Sequence, residues 1–269
     1  MPDQDLGQKA AENLKAVREK KPLIHNITNT VVMNFTANAL LACGASPVMA
    51  HAIEEVEEMV SFAGALVLNI GTLTKSRVDA MVTAGKKAND LNVPIILDPV
   101  GSGATRLRTE SATRLVKELS LSVIRGNASE VLSLARAGYR TKGVDAIHRV
   151  EEAADAALAL AKELKTTLAI TGQADLITDG RHTCRVLNGH ERMGFVTGTG
   201  CTATAIIAAF LSVDRDPVSA AATALAYLGL AGERAAAVSQ GPGSLQIALI
   251  DALFTMDEET LRNGARIEG

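Results

Sequence analysis

The segment Gly198-Thr199-Gly200 stands directly before a run of small and apolar residues that continues to Ser212. Glycines let a backbone approach a ligand closely, and the first N–H groups of a helix lack intrahelical acceptors, so this turn has the makings of an anion site. It carries neither the Lys-Ser or Lys-Thr of a P-loop nor the spacing of a dinucleotide fingerprint, and a tight turn ahead of a buried helix is the other reading. Cys201 follows at the first turn of that helix, where the dipole draws a thiol below its ordinary pKa of about 8.5 and can populate the thiolate. The alternative for Cys201 is a small, buried, structural cysteine.

Asp98 closes the apolar run Ile95-Ile96-Leu97 and precedes the loop Pro99-Val100-Gly101-Ser102-Gly103. A carboxylate at the carboxyl end of a strand, against a flexible loop, is a seat for hydrated Mg2+; an Asp that merely forms the turn before Pro competes with that reading. Arg125-Gly126-Asn127-Ala128-Ser129-Glu130 also follows an apolar run and offers a guanidinium for phosphate and a carboxylate for metal. Asn127 and Glu130 have the spacing of a capping box, so Glu130 is open to either role or, through water, to both. Thr171-Gly172 ends the run Leu168-Ala169-Ile170, where a hydroxyl and an open backbone can meet a nucleotide. His25-Asn26 and Met49 are candidates for lining a pocket, although a lone His or Met is commonly core.

Each of these residues follows an apolar run or opens a helix. Helical spacing over 5–20, the run Leu23-Ile24-His25, an apolar stretch over 29–43 ended by Gly44, and Ser46-Pro47-Val48-Met49 predict helix, strand, helix, strand. The alternation continues with strands at 65–69, 94–98, 121–124 and 167–171 and helices at 74–89, 128–136 and 149–165. Residues 174–178 and 182–187, joined through Asp179-Gly180, predict an antiparallel hairpin, and 202–212, 217–237 and 244–256 predict a helical C-terminal third. Such alternation specifies an α/β fold with a central, mostly parallel sheet covered by helices on both faces and ligands beyond the carboxyl ends of the strands. No linker-like stretch divides the 269 residues, so a single domain over 1–269 is expected.

Composition limits the partners. With no Trp, two Tyr and five Phe, the core falls to closely packed Ala, Leu, Val and Ile, and little is left for stacking on nucleic-acid bases. A formal net charge of -3 supplies no broad positive field, so a triphosphate has to be met locally by a metal ion, helix N-termini and a few basic side chains. Cys43, Cys184 and Cys201 fit neither a disulfide framework nor zinc-ligand spacing, which points to a reducing cytoplasm. The acidic N-terminus lacks a basic-then-apolar leader, and no apolar run nears the ~18 residues of a membrane span, so neither a membrane nor a nucleic acid is expected as a partner.

Taken together, HNITNTVVMNFTANALLACGASPVMA (25–50), NIGTL (69–73), ILDPVGSGAT (96–105), IRGNASE (124–130), AITG (169–172) and VTGTGC (196–201) resemble the hydroxyethylthiazole kinases, a branch of the ribokinase-like superfamily. The resemblance spans nearly the whole chain. It implies ATP- and Mg2+-dependent phosphorylation of the primary alcohol of 4-methyl-5-(2-hydroxyethyl)thiazole in thiamine biosynthesis and salvage. Met49 and Gly198, with Asn26, would contact the thiazole; Arg125 and Thr171 would contact ATP; Asp98 and Glu130 would hold Mg2+ directly or through water. Gly198, Gly200 and Cys201 would form the catalytic turn, with Cys201 where most of the superfamily carries a general-base Asp, acting either as base or as an orienting group. A homotrimer with sites between subunits is the family's usual assembly. Other superfamily enzymes, kinases of a pyrimidine alcohol or ATP-dependent dehydratases, share the phosphate site and are the alternative.

Overall fold

The computed structural model describes residues 5–136 and 150–269. Asp5 caps the first helix, α1 (Leu6–Lys20), by accepting from the amides of Gly7 and Gln8, and β1 (Leu23–Ile27) follows. The chain continues through α2 (Met33–Cys43), β2 (Ser46–Val48), α3 (Val56–Ser61), β3 (Ala65–Asn69), α4 (Lys75–Asp90), β4 (Ile95–Asp98), α5 (Arg106–Glu118), β5 (Val123–Asn127) and α6 (Ala128–Arg136). After α7 (Val150–Leu164) come β6 (Thr167–Thr171), β7 (Asp175–Thr178) and β8 (Thr183–Val186), then α8 (Thr199–Leu211), α9 (Pro217–Val238), α10 (Pro242–Thr255), α11 (Glu258–Gly264) and β9 (Ile267–Glu268). The nine strands of the described residues form one sheet in the order β2-β1-β3-β4-β5-β6-β7-β8-β9. The pairs from β2 to β6 are parallel, and β7, β8 and β9 are added antiparallel, which is the expected α/β architecture.

Strands covered on both faces need apolar residues at every position, and alternation decides which helix layer each one meets. Val67, Ile96, Val123 and Ala169 face the core that includes α1, α2, α8, α9 and α10. Leu66, Leu68, Leu97, Ile124 and Leu168 face the core built from α3 to α7. Helix α8 is buried without a break from residue 202 to 211, and α9 from 218 to 232, because both lie between the sheet and an outer layer of α1, α2 and α10. Their many alanines permit that two-deep packing and account for the scarcity of aromatic residues.

Several boundaries differ from the sequence reading in ways that matter for the site. Strand β5 runs on to Asn127, since Arg125, Gly126 and Asn127 pair with Ala169, Ile170 and Thr171 of β6. Arg125 is therefore a strand residue, subject to alternation. Helix α2 begins at Met33, leaving 29–32 as a turn, and α8 begins at Thr199, so Gly200 and Cys201 lie inside its first turn. The hairpin turns around Gly180-Arg181, with the Asp179 carboxylate accepting from the amides of Arg181 and His182. Helices α3, α5 and α11, strand β9 and a 3-10 turn at Glu191–Phe195 were not anticipated, being short or, in α5, dominated by charged and hydroxyl residues. Position 149 of the expected helix 149–165 lies outside the described residues. Among the described residues no helix is long and apolar enough to cross a membrane.

Candidate active site

The alternation that sends Val67, Ile96, Val123 and Ala169 under α8 and α9 sends Asn69, Asp98, Arg125 and Thr171, two residues further along, onto the same face at the strands' carboxyl ends. Asn69 and Asp98 are direct register partners. The start of α8 lies across this row. Thr204 Oγ1 donates to Asp98 Oδ2 at 2.9 Å, and a Cβ on Gly200 would fall 2.7 Å from Arg125 Nη1. Asn69 Nδ2 donates to the same Asp98 oxygen at 2.8 Å, with Arg125 Nη1 at 3.8 Å. Arg125 Nη2 donates to Thr171 Oγ1 at 2.6 Å. In the other direction Asn29 Nδ2 donates to Asn69 Oδ1 at 3.0 Å and to Cys201 Sγ at 3.3 Å. One polar chain thus links Cys201, Asn29, Asn69, Asp98, Arg125 and Thr171.

Burial sets the charge states. Asp98 is fully buried and its Oδ1 has no partner; burial pushes its carboxyl up to about 6 against the pull of Arg125 and the hydrogen bonds from Thr204 and Asn69. For Cys201, burial and then the neighbouring Asp98 push the thiol up to about 11, outweighing Asn69, Asn29 and Arg125. The thiolate expected from the helix dipole alone is therefore corrected to a neutral thiol, because desolvation and a nearby carboxylate act against the first-turn field. The N–H groups of Gly200 and Cys201 have no acceptor among the described residues, which leaves them free for an anion. Gly198 precedes them at φ +98° with its missing Cβ 2.9 Å from Val32 Cγ1, so neither backbone nor space admits a side chain there.

The other expected site residues fall into place less evenly. The capping box forms: Glu130 Oε2 accepts from the Asn127 amide at 3.0 Å while Asn127 Oδ1 accepts from the Glu130 amide at 2.9 Å. Glu130 Oε1 accepts from the Gly101 amide at 2.8 Å, tying α6 to the loop after Asp98. Asn26 shares the α8-side face with Ile24, and its Nδ2 donates to the Ile24 carbonyl at 2.8 Å. Met49 follows the edge strand β2, two strands from β3, and is half-buried. His25 points to the opposite face, where its Nε2 bonds the Ala50 carbonyl at 2.8 Å and burial lowers its pKa, so it stands apart from the row.

Arg125, Thr171 and Gly200 also edge a cavity of about 940 Å³ that extends over α9 at Leu225, Leu228 and Gly229. Asp175, on its wall, accepts from the Gly172 amide at 2.9 Å; burial pushes its carboxyl up to about 6, opposed by that amide and by Arg125. Sequence reasoning had no role for Asn29, Asn69, Thr204 or Asp175. Counting two residues along β3 from Val67 would have found Asn69, and the i, i+3 spacing from Cys201 would have found Thr204.

The profile of the hydroxyethylthiazole kinase family matches residues 14–259. The chain belongs to the hydroxyethylthiazole kinase family. It is 62% identical over 259 residues to a hydroxyethylthiazole kinase of Desulfotalea psychrophila, spanning 96% of this chain and 95% of that one. The structure of a hydroxyethylthiazole kinase protein from Pyrococcus horikoshii OT3 matches with a TM-score of 0.89 at 46% identity, over 96% of this chain and 98% of that one. A ribokinase-like superfamily protein from Enterococcus faecalis V583 shares the fold alone, with a TM-score of 0.65 at 14% identity over 88% of this chain and 87% of that one.

Proposed function

We propose that this chain, acting in the cytoplasm as one domain over 1–269, transfers the γ-phosphoryl group of ATP to the primary alcohol of 4-methyl-5-(2-hydroxyethyl)thiazole in thiamine biosynthesis and salvage. The observation that carries this reading is that the free Gly200 and Cys201 amides open α8 beside Arg125, which stands 3.8 Å from Asp98 and edges a cavity large enough for a nucleoside. ATP enters that cavity, with Arg125 and Thr171 on its phosphates. Met49, Asn26 and Gly198 hold the thiazole. The alcohol oxygen attacks the γ-phosphorus in line, the bond to the β,γ-bridging oxygen breaks, and ADP leaves with the electron pair. The amides of Gly200 and Cys201 meet the equatorial oxygens as their charge redistributes. A loose transition state leaves the proton on the attacking hydroxyl until late, so a neutral Cys201 suffices to orient it, and the proton ends on a phosphate oxygen of the product.

Asp98 and Glu130 fit Mg2+. Asp98 Oδ1 is buried without a partner, which leaves it for an ion. Mg2+ is commonly held by one or two carboxylates plus waters and substrate phosphates. Glu130, with both oxygens engaged by amides, suits a water-mediated contact. Held there, the ion would supply charge neutralisation on the phosphates. A homotrimer with sites between subunits is supported by the exposure of Val31 (69%), Leu41 (58%) and Phe254 (70%).

ADP release measured with ATP, Mg2+ and a panel of alcohols tests the proposal. Turnover with the thiazole alcohol well above that with a pyrimidine methanol is the expected result, and no release above background with the thiazole would overturn it.

A further inference from the structure

The cavity read above as the nucleotide site has one wall, Leu187, Asn188 and Gly189, that belongs to no helix or strand. Such a segment needs something to hold it, and the last residues of the chain do so. Arg266 reaches it at three points: its amide donates to Asn188 Oδ1 at 2.7 Å, its Nη2 donates to the Leu187 carbonyl at 2.8 Å, and its carbonyl accepts from the Leu187 amide at 2.9 Å. The same guanidinium grips Glu233 of α9 with both terminal nitrogens, Nη2 to Oε1 at 2.7 Å and Nη1 to Oε2 at 3.1 Å. Glu233 Oε1 in turn accepts from the Gly189 amide at 2.8 Å and from Asn188 Nδ2 at 3.2 Å. Burial raises the Glu233 carboxyl, but Arg266, the Gly189 amide and Asn188 together bring it below its ordinary range and keep it charged.

Beneath the wall, a Cβ on Gly229 would lie 2.5 Å from the Asn188 carbonyl oxygen, so the wall rests directly on α9. Gly229 lines the cavity too. Any slackening of the clasp therefore lifts the wall from the floor of the same cavity and widens the slot.

We propose that Arg266, acting through Glu233 and the 187–189 segment, is a positioning residue that sets the width of the nucleotide cavity and hence the affinity for ATP. It touches none of the reacting atoms. The proposal rests on reading that cavity as the nucleotide site, and calorimetric titration of wild-type protein with ADP checks that reading first: no binding would remove both. Given binding, Arg266→Ala raises the ADP Kd and the KM for ATP about three- to tenfold, the scale of a lost charge-assisted pair with its neighbouring hydrogen bonds. The turnover number and the KM for the thiazole alcohol stay within about twofold. Arg266→Lys, which keeps one charged contact to Glu233 but loses the fork, falls between the two. Glu233→Gln retains an acceptor for the Gly189 amide and shifts affinity the same way by less, which covers the case of an Arg266→Ala protein that fails to fold. Unchanged ADP affinity in the folded variants overturns the proposal. So does a loss in which thermal midpoint, turnover and both KM values deteriorate together, the pattern of a plain C-terminal staple.

Discussion

Two titratable residues at the site separate what a side chain can do from what its type suggests. Cys201 has the position of a catalytic base, but with its thiol pushed up to about 11 it carries almost no thiolate at neutral pH. Replacement by Ala is expected to slow turnover about tenfold while leaving ADP affinity unchanged, below the ~100-fold or more that a general base contributes. Steady-state rates at pH 7.5 check this, and a loss beyond ~100-fold would restore Cys201 as the base. Asp175 behaves differently because its shift bears on folding. A carboxyl raised from 3.8 to about 6 binds its proton more tightly in the folded than in the unfolded chain. Its contribution to stability is thus fully present below pH 3.8 and is lost as pH rises through about 6. Asp175→Asn keeps an oxygen for the Gly172 amide and removes that loss. Its thermal midpoint relative to wild type, measured without Mg2+ from about pH 3.5 to 7.5, should climb across this window and then level off. A constant difference would mean that Asp175 titrates as an ordinary surface carboxyl.

The geometry of the site belongs to three kinds of element: the strand ends, the turn 29–32 and the first turn of α8. Gly200 is where they are tightest, since a methyl group there would stand 2.7 Å from Arg125 Nη1 and drive the guanidinium off Thr171 and Asp98. Gly200→Ala should lower kcat/KM for ATP about tenfold, while the ~1 kcal/mol gain in helix propensity offsets the displaced contacts and leaves the thermal midpoint close to wild type. Equal kcat/KM in the variant would show that Arg125 can act from elsewhere. Asp98, Arg125, Thr171 and the Gly198 turn stood out in the sequence as candidates because each follows an apolar run or opens a helix, and the parallel sheet was legible because its strands are apolar at every position. The neutral Cys201 was not, since its state depends on its burial in the folded chain and on Asp98 approaching from a strand far away in the chain. Asn29 was hidden for a similar reason: the apolar stretch after it reads as continuous helix, whereas its side chain turns instead to Asn69 and Cys201. Asp175 was obscured by its place at the start of a hairpin strand, where an Asp ordinarily reads as turn chemistry.

For the molecule as a whole, α2, α10 and the turn before α2 expose large apolar side chains. Helices α2 and α10 pack against each other, yet Leu41 of α2 is 58% exposed, and Ile247 and Phe254 of α10 are 68% and 70% exposed. Val31, 69% exposed, sits in the same turn as Asn29, which touches Cys201, and next to Val32, which packs on Gly198. At Val31 this exposed surface reaches the turn that carries Asn29, whereas the cavity at Arg125, Thr171 and Gly200 is lined by other segments. The proposed trimer would bury this surface, and a charge placed in it tests that. In Leu41→Glu, sedimentation should change from three chains to one and the KM for the thiazole alcohol should rise about tenfold or more, as a buried apolar contact is replaced by an ion that cannot be desolvated. ADP affinity should remain within about twofold, because Leu41 is not among the residues that line the cavity at Arg125. A wild-type protein that sediments as a single chain with full turnover would break the link between this surface and the alcohol, leaving the patch without a part in the reaction.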